Sequence, residues 1–309
     1  MNKKVKTERN VYIIKIEDDT QKKKTIIIIL MVLLLIVELV LIIFNIIQVI
    51  QKNKVYNEYN SQLITIQKQK ENDDAKIAEE KERKRQEKLP KLTDEGRKNV
   101  DNIYHSEKKR AFLTFDDGPS PITSTILDIL KQEEIKATFF VLGSRVEVMP
   151  DVVKRMYNEG HYIANHGYSH IYSSIYSSPQ AVLDEFNKCN QLVRDAIGEQ
   201  EYNSHLFRFP GGFVGGKYAD IKNQAKELLN QNDIVNVDWN ALVGDAEISE
   251  PTLEFEMTRL EETTENKNSV VILMHDAQAK KVTSDSLTQI IAYLREQGYE
   301  FKNFYEIIK

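Results

Sequence analysis

Hydrophobic and polar positions divide this chain into three textures. From Thr25 to Ile50 it is almost unbrokenly aliphatic, with Glu38 the only charge. At ~1.5 Å per residue a helix of that stretch is about 39 Å long, enough to cross a ~30 Å hydrocarbon core. Beyond Ile50 the apolar positions thin to Val55, Tyr59, Leu63 and Ile66, a helical stripe that fades into Lys/Glu/Gln-rich sequence and ends at Pro90. From Arg110 to Lys309 short apolar or alternating runs predict strands over 110–115, 137–142, 161–164, 206–209, 233–237, 269–274 and 299–302. Segments of helical period between them predict helices over 123–132, 150–159, 179–197, 218–230, 251–265 and 283–297. Regular alternation of strand and helix argues for a parallel sheet, open or closed as a barrel, and seven such units suit a barrel somewhat smaller than the eight-stranded type.

Charge orients the first texture. Residues 1–24 carry eight Lys/Arg, whereas the twenty residues after Ile50 carry four, Lys52, Lys54, Lys68 and Lys70. This bias predicts a cytoplasmic N-terminus, with everything beyond the apolar run outside the cell membrane. A cleaved signal peptide fits less well, because the run is too long and no small-residue cleavage site follows it. The expected segments are a basic cytoplasmic N-terminus over 1–24, a transmembrane anchor in the lipid bilayer over 25–50, a stalk or linker over 51–109, and a folded domain over 110–309.

Residues 51–100 hold thirteen basic and ten acidic side chains and fewer than three good heptads, which favours a charged helix or flexible spacer over a coiled coil. Self-association through the anchor or the stalk stays open, since Glu38 at mid-membrane is costly unless it pairs. Charges of mixed sign without interleaved aromatics offer no nucleic-acid site in the stalk. The domain, with 30 acidic and 19 basic side chains, is too negative to bind a phosphate backbone. A single cysteine excludes a disulfide framework within the chain. Cys189 shares a helical face with Phe186, Val193 and Ile197 and reads as a small buried apolar residue rather than a nucleophile.

Four constellations carry candidate chemistry. Thr114-Phe-Asp-Asp-Gly-Pro-Ser120 places Asp116 and Asp117 on a turn directly after a strand, where α/β folds keep their reactive groups. His166-Gly-Tyr-Ser-His170 follows another predicted strand, and two histidines four apart share a face if the segment turns helically, one way for two imidazoles to hold a metal. In Phe207-Arg-Phe-Pro-Gly-Gly212 the Arg208 guanidinium is suited to a bidentate pair with a carboxylate, and the glycines let a backbone N–H approach an oxyanion. Val270-Val-Ile-Leu-Met-His275 ends in a histidine suited to general-acid work; Asp245 is its preferred carboxylate partner and Asp238 the second choice.

In this order the four motifs resemble the polysaccharide deacetylase family, also called the NodB-homology domain or carbohydrate esterase family 4, over about 110–309. The resemblance implies a distorted (β/α)7 barrel and metal-assisted removal of acetyl from N-acetylated sugars or O-acetyl esters. It implies that Asp117, His166 and His170 hold one divalent metal, Zn2+ by preference with Co2+ or Mn2+ as alternatives. Asp116 is then the general base, Arg208 orients it, His275 protonates the leaving amine, and Asp245 orients His275.

Two departures stand out. The family's tyrosine after R-x-P is Gly211 here, so that position would keep its backbone N–H for the oxyanion but lose a groove wall. The family's D-x-x-D-W motif aligns with Leu242-Val-Gly-Asp245-Ala246, which retains only the second aspartate and leaves Trp239 as the candidate groove aromatic. The expected function is a membrane-anchored extracellular deacetylase of a glycan polymer, foremost peptidoglycan N-acetylglucosamine or N-acetylmuramic acid. Exported poly-N-acetylglucosamine, xylan-like O-acetyl esters, and an inactive glycan-binding module are the alternatives.

Overall fold

The computed structural model describes residues 4–309, with side chains from Asp19 onward. Most of the basic segment expected over 1–24 therefore lies outside the described side chains. The chain divides into two compact units, Met1–Lys81 and Glu82–Lys309.

Helix α1 (Lys4–Glu87) accounts for all the described residues of the first unit. Its aliphatic residues from Ile26 to Ile50 are exposed on every face. By length and composition it is able to cross a membrane. Further on, where no core supports it, the helix is laced by i,i+4 pairs such as Gln69 to Asp73 at 2.9 Å.

The first element wholly within the second unit is α2 (Asp94–Asp101), capped by the Thr93 hydroxyl, which accepts from the Gly96 N–H at 2.9 Å. Then come β1 (Arg110–Asp116), α3 (Pro121–Gln132), β2 (Thr138–Val141), α4 (Gly143–Val146), α5 (Pro150–Asn158), β3 (Tyr162–Asn165), α6 (Tyr172–Ile175) and α7 (Pro179–Ile197). The chain continues through β4 (Leu206–Phe207), α8 (Ala219–Gln231), β5 (Val235–Asn236), β6 (Ala241–Leu242), α9 (Leu253–Thr264), β7 (Ser269–His275), α10 (Lys281–Glu296) and β8 (Glu300–Phe301).

All strand pairings are parallel, in the order β5-β4-β3-β2-β1-β7-β6, with β8 on β1. The sheet curls into the distorted (β/α)7 barrel expected from the sequence. The seven predicted strands are present, several shorter than expected, and β6 is an addition.

Strand parity places the site. Ala111, Leu113 and Phe115 face the helix layer in one core cluster, while Phe112 faces the barrel interior in another. Thr114 and Asp116 therefore also point inward. The same alternation runs through β7, with Val270, Ile272 and Met274 outward and Val271 inward, so His275 points inward too. In β3 Tyr162 and Ala164 are inward, and in β4 Leu206 is, which carries the rule on to His166 and Arg208. Both faces of the sheet are buried, as a parallel sheet requires.

The segment before β1 packs into this unit: Leu89, Val100 and Ile103 are buried, and Val100 and Ile103 join Phe304 and Ile308 in the interior cluster. The compact unit thus starts upstream of residue 110, where the alternation in the sequence begins. A Cβ on Gly96 would lie 2.1 Å from the Ile308 carbonyl oxygen. Gly96→Ala is expected to cost about 1–3 kcal/mol through overpacking. At about 2–4 °C per kcal/mol for a domain of this size the Tm should fall by several degrees in scanning calorimetry. An unchanged Tm would show that α2 does not seat here.

Candidate active site

Asp116 ends β1 in register with His275 at the end of β7, which sets the two at the same mouth of the barrel. Asp116 is 2% exposed, and its Oδ1 accepts from Arg208 Nη1 at 2.8 Å. Burial raises its carboxyl above the ordinary range, partly offset by the charges of Arg208 and His275.

Arg208 is fully buried and does not form the expected bidentate pair. Its Nη1 also donates to Thr114 Oγ1 at 2.8 Å, Nε to the Val237 carbonyl at 3.0 Å and Nη2 to the Asp238 carbonyl at 3.0 Å. The guanidinium lies 3.9 Å from the Phe140 ring centroid and 5.7 Å from that of Trp239. Four of its five N–H groups are thus committed, and only one of the four goes to the carboxylate.

Asp117, His166 and His170 offer ligand atoms that all lie within 4.8 Å of one another. Asp117 Oδ1 stands 3.6 Å from His166 Nε2 and 3.4 Å from His170 Nε2, and among the described residues it has no hydrogen-bond partner although buried. Tetrahedral ligands at ~2.0–2.2 Å stand roughly 3.3–3.6 Å apart, so this donor set fits a divalent cation such as zinc.

His166 Nδ1 is 2.7 Å from the Arg208 carbonyl, which takes its N–H and leaves the Nε2 lone pair facing Asp117. Burial pushes this imidazole down to about 3, so it is neutral, as a ligand must be. The segment joining the histidines is not helical: Gly167 at φ +85° and His170 at φ +56° form a turn. That turn is held by Glu185 of α7, which accepts from the Tyr168 and Ser169 N–H groups at 2.7 Å each.

His275 contacts Asp245 Oδ1 through Nδ1 at 2.8 Å, and its backbone N–H donates to Oδ2 at 2.7 Å. Burial alone would push this imidazole down. The Asp245 hydrogen bond and charge, with Asp116 and Asp117, overcome that and raise it to about 9. Asp238, the second candidate partner, instead accepts from the Phe213 N–H at 2.9 Å. Asp245 is itself held by Thr283 Oγ1 at 2.9 Å. Thr283 borders Glu256, a buried carboxyl that burial raises to about 7.

Gly211 and Trp239 lie along the same rim, where a Cβ on Gly212 would sit 3.0 Å from the Trp239 ring. Asp276, following His275, accepts from Thr123 Oγ1 at 2.6 Å, and a Cβ on Gly118 would strike its carboxylate. Cys189 is buried, its Sγ 3.5 Å from the Val141 carbonyl, and burial pushes its thiol up.

Glu185, Thr283, Glu256 and Asp276 were not singled out in the sequence. Only Asp276, adjacent to His275, carried a local signal.

Fold and site define an α/β-barrel hydrolase. Residues 104–230 match the polysaccharide deacetylase family. A peptidoglycan-N-acetylglucosamine deacetylase of Bacillus cereus is 34% identical over 208 residues, 65% of this chain and 71% of the relative. A CE4 esterase structure from Streptococcus mutans matches with TM-score 0.59 at 32% identity, covering 67% of this chain and 90% of its own. The catalytic domain of a peptidoglycan N-acetylglucosamine deacetylase from Eubacterium rectale matches with TM-score 0.59 at 29% identity, covering 64% and 90%. The chain belongs to the polysaccharide deacetylase family, hydrolases that act on amide bonds.

If His275 is the acid, kcat/KM falls on the alkaline side as it deprotonates, near about pH 9. Asp245→Asn removes the charge that raises it, so the limb should move to or below the ordinary histidine value of ~6.5, with activity at pH 8 down about tenfold or more. A limb left in place would show that another group supplies the proton.

Proposed function

We propose that the protein is a membrane-anchored, extracellular, Zn2+-dependent deacetylase. It removes N-acetyl groups from cell-wall glycan, namely the N-acetylglucosamine or N-acetylmuramic acid of peptidoglycan. The observation that carries this reading is the arrangement at one barrel mouth: a carboxylate held by an arginine and an imidazole held by a carboxylate beside a three-ligand cluster. A glycan-binding module needs neither an oriented base nor an oriented acid.

In this reading Asp117, His166 and His170 hold the cation. When bound it polarises the acetyl carbonyl and brings the pKa of water at that point toward ~7. Asp116, kept by Arg208 with one oxygen committed, accepts the proton of the attacking water through the other. The Gly211 N–H is the donor for the oxygen as it becomes negative. His275, protonated and steered by Asp245, delivers a proton to the departing nitrogen, so the C–N bond breaks to give acetate and a free amine. Trp239 lines the sugar groove.

The anchor reading rests on the exposed aliphatic run of α1 and on the basic bias before it. A tethered catalytic unit suits a fixed polymer close to the membrane, and the relative from Bacillus cereus is named for peptidoglycan.

The test is acetate release by the full-length chain in detergent, stripped of metal and reloaded with Zn2+, Co2+ or Mn2+. Peptidoglycan, chito-oligosaccharide and acetylated xylan are offered side by side. Metal-dependent release from peptidoglycan is expected. Release from xylan alone would make it an O-acetyl esterase, and release from none would end the reading. His166→Ala should lose bound metal and turnover together. Asp116→Asn should retain the metal and lose about 10²–10⁴ in kcat, the usual contribution of a general base.

A further inference from the structure

We propose that Tyr172 closes the acyl end of the site and that its phenol O–H is a second donor to the acetyl oxygen. This rests on the deacetylase reading above and assigns to that site a residue outside its sequence motifs.

The observation begins at Gly211, where the family pattern has a tyrosine. Gly211 has φ +75°, a left-handed conformation that a side-chain-bearing residue adopts only under strain. A Cβ built there would lie 2.4 Å from the Tyr172 hydroxyl oxygen and 3.0 Å from its Cζ. Positions 211 and 172 therefore compete for one volume. In this chain the occupant is a phenol brought from α6, only two residues beyond His170.

The placement of that phenol is held from both sides. Its ring centroid lies 5.5 Å from that of His170 and 5.8 Å from that of Tyr176. Tyr176 in turn donates its hydroxyl to the Pro210 carbonyl at 2.7 Å, which ties α6 to the turn that carries Gly211. Tyr172 thus stands between one member of the ligand cluster and the backbone proposed to receive the oxyanion.

Among the described residues none hydrogen-bonds the Tyr172 hydroxyl, and the side chain remains 41% exposed, so its donor is open to a ligand. A phenol O–H is a hydrogen-bond donor suited to a developing oxyanion. The ring also walls the space beyond the acetyl methyl. The groove wall lost with the motif tyrosine is replaced from another element.

The experiment compares wild type, Tyr172→Phe and Tyr172→Ala in the full-length, metal-loaded protein, on N-acetyl and N-propionyl chitotetraose. Tyr172→Phe keeps the wall and removes the donor, so kcat should fall about tenfold to a hundredfold with KM little changed. Tyr172→Ala opens the wall, so the propionyl-to-acetyl ratio of kcat/KM should rise about tenfold or more, the scale set by one methylene in a shaped pocket. Wild-type kcat in Tyr172→Phe, or an unchanged acyl preference in Tyr172→Ala, overturns the assignment. If wild type itself releases no acetate, the deacetylase reading fails, and calorimetric titration with chitotetraose decides on Tyr172. Binding at least fivefold weaker in Tyr172→Ala then supports its place at the acyl end, and equal affinity overturns it.

Discussion

The buried guanidinium of Arg208 is the constraint on which the site depends. It donates to the Asp116 carboxylate, to Thr114 on the same strand and to two carbonyls of the 237–238 segment, so it joins β1 to the chain after β5. Its own carbonyl takes the His166 N–H, which fixes the ring that faces Asp117. One residue thus orients both the candidate base and a candidate ligand. An ion pair this deep is weak evidence for stability, because desolvation offsets the attraction. Breaking it would leave a charge buried and unpaired, at about 3–5 kcal/mol.

The parallel sheet makes that arrangement geometrically simple. Adjacent parallel strands end at the same rim, and inward positions alternate with helix-facing ones. Asp116 and His275 are register partners on the adjacent strands β1 and β7, so the proposed base and the proposed acid arrive side by side at one opening without any long loop to place them. The glycine-rich turn after β4 and the turn after β3 supply the remaining groups. Function is confined to the places where the periodic pattern stops.

This also explains what the sequence could and could not reveal. The strands were legible because Val270 to Met274 or Ala111 to Phe115 are apolar runs cut off by turn residues, and the motifs were legible because their residues are contiguous. β6 escaped because two residues carry no period. The turn at His166–His170 was open to a helical reading from spacing alone, and only the left-handed Gly167 and His170 exclude it. The bidentate expectation for Arg208 failed because its other acceptors, the Val237 and Asp238 carbonyls, are backbone groups distant in sequence. Glu185, Thr283 and Tyr172 act through tertiary contacts that no local pattern encodes.

The two histidines show how far such contacts decide chemistry. His166 and His275 both follow apolar strands, and burial pushes both imidazoles down. They differ in what meets Nδ1, a backbone carbonyl for His166 and the Asp245 carboxylate for His275. A carbonyl fixes the tautomer and adds no full charge, so His166 stays neutral with Nε2 able to ligate. A carboxylate adds a negative charge that outweighs desolvation, so His275 keeps its proton to pH values where a free histidine has lost it. Groups of one type, driven apart in pKa by their partners, are how a single site comes to hold both a neutral and a protonated imidazole, as the proposed ligand and acid require. The absence of the first aspartate and the tryptophan of the D-x-x-D-W motif leaves this division intact, because Thr283 and the His275 backbone N–H hold the one carboxylate that enforces it.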